Sequence, residues 1–256
     1  MSKLWTKWKE KLWEWDAKRG YCCDLCGKET FDYPIRRLCE TCESSLVENE
    51  RGRTCEKCGR STRAQGICLD CKRELPAFTC GFSPYVYKGT ASALVNSLKT
   101  GKRRLAYFLG EKMADYFAAV YKTLPQSEQA EPLLIVAVPC TEKTLLARGY
   151  NQAEELAKVV EKRLLFYGIP VEMGREILQK RKETAEQKHL NFYGRANNVA
   201  GAYHVHKRKA CKGRTLLLVD DVMTTGATGN ECARRLVGAG ADKVYFLVSA
   251  MLPEQR

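Results

Sequence analysis

Four CxxC pairs carry the plainest chemistry in the chain. Cys23-Asp-Leu-Cys26-Gly27 is followed by Cys39-Glu-Thr-Cys42, and the pattern repeats as Cys55-Glu-Lys-Cys58-Gly59 followed by Cys68-Leu-Asp-Cys71. Two thiolates two residues apart grip a tetrahedral metal from a tight turn, and the glycine after the second cysteine lets that turn take a positive φ. Two pairs complete a four-cysteine site, so the eight thiols are expected to hold two Zn²⁺. The repeat favours sequential pairing, first pair with second and third with fourth; a cross-braced arrangement is the alternative. A closed four-cysteine set leaves no open coordination position, so both ions are expected to be structural. Cys22 adjoins Cys23, and the repeat favours Cys23 as the ligand. Cys80, Cys140, Cys211 and Cys232 have no paired partner and read as small buried apolar side chains.

The second chemical segment is Leu216-Leu-Leu-Val-Asp-Asp-Val-Met-Thr-Thr-Gly-Ala-Thr228. An apolar strand delivers Asp220 and Asp221 at its C-terminal end, where open α/β sheets bind ligands. A Thr/Gly loop and a helix N-terminus follow, and their N–H groups and hydroxyls suit a phosphate dianion. Two carboxylates would repel that phosphate unless they address something else, and a ribose diol or Mg²⁺ answers that need. No GxxxxGK[ST] is present, so this is not a Walker loop. An ordinary βα turn with an Asp cap accounts for one Asp and one Thr. It does not account for Asp-Asp with Thr-Thr-Gly-x-Thr.

The elements that must position these residues can be read from periodicity. Leu133–Val138, Thr215–Val219 and Val244–Ser249 read as buried strands. Thr228–Val237 reads as a helix with apolar and basic faces. Strand, loop, helix and strand in that order build a parallel sheet. Ser92–Leu98 and Leu105–Tyr121 read as helices, and Glu128–Glu131 and Lys180–Asn198 as loops, the second long and polar. The expected organisation is a Trp/Lys-rich amphipathic helix over 1–20, a zinc-binding domain of two four-cysteine sites over 21–76, and an α/β domain over 77–256.

The segment around Asp220 resembles the 5-phosphoribosyl-1-pyrophosphate (PRPP) motif of type I phosphoribosyltransferases. The resemblance implies that Asp220 and Asp221 hold the ribose hydroxyls. It also implies that Thr224, Thr225, Gly226, Ala227 and Thr228 cradle the 5′-phosphate. The purine-salvage branch carries an Asp directly before its Thr-Gly, where this chain has Thr224, which disfavours purine salvage. Val138–Arg148 corresponds to the pyrophosphate loop, with Arg148 forked on pyrophosphate oxygens. Gln187 through Arg195 and Asn198, then Ala202-Tyr203, correspond to the loop that covers the active site, with Arg195 a further ligand contact. Together with the double CxxC head, the chain resembles the ComF family of competence-associated phosphoribosyltransferase-like proteins, with Tyr150 where the family has Phe. The resemblance implies an α/β, type I phosphoribosyltransferase-like parallel sheet behind a zinc-ribbon-like head. It implies Mg²⁺ bound with PRPP, and a role in natural competence, on incoming single-stranded DNA. Other competence proteins, such as a helicase and DNA-processing proteins, are the implied partners. A catalytically idle adaptor and a nucleobase transferase of salvage are the alternatives. No side-chain nucleophile is required by such chemistry; Asp220, Asp221 and Arg148 would orient and neutralise.

Composition agrees with these readings. The 256 residues carry 43 Lys and Arg against 30 Asp and Glu, a formal charge of +13, which favours phosphate or polyanion partners. Two zinc tetrathiolate centres lower this to roughly +9. Thirteen Cys, an odd number, and no apolar export signal point to a reducing cytoplasm rather than a disulfide scaffold. No eighteen-residue apolar run is present, so no membrane-spanning helix is expected. All four Trp, at 5, 8, 13 and 15, fall in the first helix. Trp5, Trp8, Leu12 and Trp15 share one face, a pattern for docking on a protein or lying on the inner surface of the membrane. Lys102-Arg-Arg104, Lys180-Arg-Lys182 and Lys207-Arg-Lys209 are short basic runs that a nucleic acid could meet. His189 reads as a solvated loop residue, and His204 and His206 as strand-face residues.

Overall fold

The computed structural model describes residues 22–30, 37–50, 52–63, 65–125, 129, 131–181, 199 and 201–254. The Trp-rich segment 1–20, Gln187, His189, Arg195 and Asn198 lie outside the described residues. In chain order the elements are α1 (Glu40–Ser44), α2 (Leu69–Arg73), β1 (Cys80–Phe82), β2 (Tyr85–Val86), α3 (Gly89–Lys99) and α4 (Leu105–Tyr121). There follow β3 (Leu133–Ala137), α5 (Glu142–Arg148), α6 (Gln152–Phe166), β4 (Val171–Met173), β5 (Leu178–Lys180), β6 (Tyr203–Val205), α7 (Arg208–Cys211), β7 (Thr215–Met223), α8 (Ala227–Gly238) and β8 (Lys243–Met251). The chain folds as two compact units, Met1–Ser45 and Leu46–Arg256.

In the larger unit the strands pair in the order β1-β8-β7-β3-β4, with β2 also on β8. Every pairing in this sheet is parallel. Parallel strands are covered on both faces and read as unbroken apolar runs, as Leu216–Val219 and Val244–Val248 do. Side chains alternate between the faces. Leu216, Leu218, Val244, Phe246 and Val248 pack with Cys232 and Leu236 of α8. Tyr245 turns the other way, onto Phe117 of α4 at a centroid distance of 6.2 Å. Helices α4 and α6 pack on each other and cover that second face. In α4, Leu105, Leu109, Met113, Phe117 and Tyr121 are buried at intervals of four, the helical stripe expected from the sequence. The expected parallel α/β sheet flanked by helices is present, and two four-cysteine groups precede it in the chain.

Three sequence expectations are corrected. Strand β7 does not end at Val219 but runs to Met223, because Asp220, Val222 and Met223 continue the ladder with Val248, Ala250 and Met251 of β8. The segment after Val138 is not all loop, since Thr141 caps a helix of its own, α5, by accepting from the Thr144 N–H. Lys180 is not in a loop. It ends β5, which pairs antiparallel with β6 in the register Leu178↔Val205, Gln179↔His204 and Lys180↔Tyr203. In that ribbon His204 faces outward, as expected of a strand-face residue.

Candidate functional site

A cleft of about 750 Å³ opens at the C-terminal ends of β3 and β7. One wall is the loop that leaves β7. Thr224 and Thr225 lead to Gly226, whose φ of 84° lies in the left-handed region and turns the chain into α8. Thr225 Oγ1 accepts from the Ala227 N–H at 3.4 Å. The first turn of α8 thus points the positive end of its dipole at the cleft. Gly229, one turn in, is the device that holds this helix close. A Cβ there would stand 2.3 Å from the Phe246 ring on β8.

Asp220 and Asp221 lie side by side in the cleft wall. Because β7 continues through them, Asp221 is 6% exposed, not free at a strand end. Its backbone carbonyl accepts from the Ser249 hydroxyl of β8. Its carboxylate meets Lys99 Nζ at 3.3 Å. The Asp220 carboxylate folds back to accept the Asp221 N–H at 2.8 Å. Burial, and then the Asp221 charge, push the Asp220 carboxyl up to about 7, against the pull of Lys99 and Lys180. Lys180 comes in from the ribbon, its ammonium 5.5 Å from the Tyr203 ring centroid. Burial depresses its pKa, while the Asp220 charge works the other way. Burial raises the Tyr203 phenol as well.

The opposite wall is Val138, Pro139, Cys140, Thr141 and Arg148. Its shape is fixed from behind. Asn151 caps α6 by accepting from the Ala153 N–H at 3.1 Å and donates to the Val138 carbonyl at 3.0 Å. Gly149, with φ 77°, ends α5 just after Arg148. The Tyr150 hydroxyl donates to the Leu98 carbonyl. The phenol thereby ties the Arg148 turn to the end of the helix that carries Lys99. Arg103 stacks near Tyr150 and pairs with Glu155 at 2.6 Å, so this basic run is partly neutralised rather than wholly solvated.

Both four-cysteine groups form with sequential pairing. Cys23, Cys26, Cys39 and Cys42 make one set, and Cys55, Cys58, Cys68 and Cys71 the other, with each set's ligand atoms within 4.8 Å of one another. The Cys26–Cys39 and Cys58–Cys68 sulfur separations are both 3.7 Å. Tetrahedral Zn–S bonds of about 2.3 Å place sulfurs about 3.8 Å apart, so both sets fit zinc. The two turns repeat each other. Cys23 N–H donates to Lys28 and Cys55 N–H to Arg60, while Gly27 and Gly59 donate to Cys23 and Cys55. Gly27 and Gly59 take φ 77° and 75°, as the sequence requires. The second set is built into the larger unit. A Cβ on Gly59 would stand 2.0 Å from the Gly81 carbonyl oxygen, so the knuckle lies backbone to backbone against β1. Of the unpaired thiols, Cys211 and Cys232 are buried as expected. Cys80 and Cys140 are half-buried, Cys80 donating to the Glu56 carbonyl and Cys140 lining the cleft.

Sequence reasoning missed Lys99, Gly229 and Arg60, and read Lys180 only as part of a basic run in a loop. The two lysines are among many, distant in the chain from the aspartates they face. Gly229 carries a signal in hindsight, a helix-disfavouring residue inside a helix. Arg60 follows the second knuckle, and only the fold brings it to the Thr224 carbonyl, 3.3 Å from Nη2.

No protein-family model matches the chain. It is 24% identical over 213 residues to the competence protein ComFC of Bacillus subtilis, covering 81% of this chain and 80% of that protein. Identity with the DNA utilization protein YhgH of Escherichia coli is 27% over 228 residues, 82% of this chain and 96% of that one. With competence protein F of Haemophilus influenzae it is 25% over 230 residues, 89% of each. These relatives support the resemblance to the ComF family. Solved structures similar to this chain include a glutamine PRPP amidotransferase from B. subtilis, at 20% identity and TM-score 0.32. That match covers 55% of this chain and 25% of the amidotransferase. A hypoxanthine phosphoribosyl transferase of Trypanosoma cruzi matches at 16% and 0.35, over 56% of this chain and 63% of its own. Among the described residues, no helix is long and apolar enough to cross a membrane.

Proposed function

We propose that the chain binds PRPP through its phosphoribosyltransferase-like cleft and acts in natural competence and DNA uptake, on incoming single-stranded DNA. The observation that carries the reading is one strand. β7 brings Asp220 and Asp221 to the mouth of the cleft and passes at once into a Thr-Thr-Gly-Ala-Thr turn at a helix N-terminus. Thr224, Thr225, Gly226, Ala227 and Thr228 hold the 5′-phosphate. Asp220 and Asp221 accept from the ribose hydroxyls, and Lys99 holds Asp221 in place. Arg148, on the opposite wall, faces the pyrophosphate, and Arg195 adds a further contact. Mg²⁺, when bound with PRPP, neutralises pyrophosphate oxygens and favours their departure from the anomeric carbon. The protein's own part is to orient the ribose and exclude water. The names of the relatives and the +13 charge support the nucleic-acid side of the proposal. The two zinc ions are structural, and the site of action is the cytoplasm or the inner face of the membrane.

The test is calorimetry with Mg²⁺-PRPP on the wild type beside an Asp220→Asn/Asp221→Asn double variant, with pyrophosphate release measured in the same samples. Saturable binding that is lost in the variant is expected. Pyrophosphate release on adding single-stranded DNA or a nucleobase identifies a transferase and its acceptor class. Absence of binding by the wild type refutes the PRPP reading and leaves an adaptor of the transformation machinery.

A further inference from the structure

Arg60 stands between the second four-cysteine group and the phosphate loop. It follows Cys58 by two residues and is 3% exposed. Its Nη1 donates to Asp70 Oδ2 at 2.8 Å, and Asp70 sits on α2 between Cys68 and Cys71. Its Nη2 donates to the Thr224 carbonyl at 3.3 Å. The side chain shares the wall of a small cavity with Cys58 and Cys71 of that group. A buried cation needs anionic partners, and a zinc tetrathiolate centre carries about two negative charges that four neutral thiols do not.

A second strap joins the same two parts. Glu254, just after β8, accepts the Leu69 N–H with its carboxylate at 2.8 Å and donates its own N–H to the Ser61 carbonyl at 3.0 Å. The Leu252 N–H donates to the Met223 carbonyl at the end of β7. The knuckle, α2 and the end of β7 therefore share one hydrogen-bonded frame. Between them lies a small cavity of about 90 Å³, walled by Cys58, Arg60, Asp70 and Cys71 on one side and Thr225 and Asn230 on the other.

We infer that Arg60 is a positioning residue that couples occupancy of the second four-cysteine centre to the shape of the phosphate loop. With metal present, the charged cluster and Asp70 hold the guanidinium, which holds the Thr224 carbonyl and so the first residue of the Thr-Thr-Gly turn. With metal lost, the cation loses its largest counter-charge, Arg60 leaves its place, and the turn loosens. Loss of metal from the second centre then acts as an off-switch for phosphate binding. The first four-cysteine group belongs to the smaller unit and serves as the control. The inference rests on the phosphate-loop reading above, and its test has one arm that does not.

The experiment uses the full chain loaded with two zinc equivalents. Hydrogen exchange of amides 222–229 and Mg²⁺-PRPP affinity are measured for the wild type, Arg60→Gln, Asp70→Asn, Cys68→Ser and Cys39→Ser. Zinc content and urea midpoint are checked for each. Arg60→Gln is expected to keep both zinc ions, to speed exchange across 222–229, and to weaken PRPP about tenfold. Asp70→Asn gives the same pattern more weakly. Cys68→Ser loosens the loop, and Cys39→Ser leaves it as in the wild type. Wild-type exchange at 222–229 in zinc-loaded Arg60→Gln overturns the coupling, whatever PRPP does. Faster exchange in a protein that never binds PRPP supports the coupling and refutes the PRPP reading alone.

Discussion

Gly229→Ala isolates how closely α8, the helix proposed to bind phosphate, must sit on the sheet. The added Cβ would stand 2.3, 2.6 and 2.8 Å from three atoms of the Phe246 ring. The ring cannot swing aside, since Phe246 is 1% exposed and packed against Phe78 at a centroid distance of 5.4 Å. The gap must therefore widen by about 1.1 Å to reach the 3.4 Å of an ordinary contact. Alanine gains about 1 kcal/mol of helix propensity over glycine, and overpacking costs about 1–3 kcal/mol. The expected net loss of stability is thus modest, about 0–2 kcal/mol. The effect on ligand is larger, because an ångström of misplacement at a reacting or binding group costs on the order of 100-fold. Urea titration and PRPP calorimetry read the two quantities separately. Adding Phe246→Leu should restore much of the affinity while lowering stability further. If Gly229→Ala bound PRPP like the wild type, the contact with Phe246 would not be what sets the loop's position.

Lys99→Met should weaken PRPP by about tenfold, because Asp221 is left buried without its cation; calorimetry at fixed Mg²⁺ checks it. Tyr150→Phe removes the donor to the Leu98 carbonyl and should cost about 1–2 kcal/mol in urea unfolding. Asp220 predicts opposite pH trends for folding and for binding. Its folded pKa of about 7 lies above the ordinary carboxylate value, so the folded chain binds the extra proton. Stability from this group is full below about pH 4 and is lost as pH rises to about 7. Binding of ribose hydroxyls wants the anion, so affinity rises through the same window and levels above it, while Asp220→Asn binds weakly with this step missing. Metal analysis should find two zinc ions per chain; a value near one would remove one of the two four-cysteine assignments.

Much of the metal chemistry was legible because it is local. A CxxCG knuckle is defined by five residues and a glycine φ, and the repeat announced the sequential pairing that the sulfurs adopt. The strand, turn and helix around Gly226 were legible for the same reason: Gly226 takes a left-handed φ, and the apolar run before it is a buried strand. The burial of Asp221 was not legible. It depends on β8 continuing beside β7 as far as Met251, a pairing between distant segments. Lys99 and Arg60 were missed because a lone cation has no spacing signature, and Lys180 was read only as part of a basic run in a loop. Each reaches the site through the end of a different element, α3, the second knuckle and β5. Cys140 was misjudged because the strand before it is buried while the residue itself has already turned into the cleft.

The placement of β8 has a consequence for how the protein forms. β8 lies inside the sheet, between β1 and β7, and the Val244 N–H donates to Thr79 Oγ1 across 165 residues. Until β8 is made, β1 has no strand partner, and the edge against which the second knuckle lies is not yet part of the sheet. Parallel pairings of such separation close late and slowly, since loop entropy is lost before any contact rewards it. Early on, therefore, the knuckle can take its metal while the cradle it will brace does not yet exist. The nascent chain then displays apolar edges of β1 and β7 side by side with nothing between them, a state open to pairing with other chains. Synthesis rate and metal supply should therefore both govern the yield of soluble protein, with the metal acting first and β8 last.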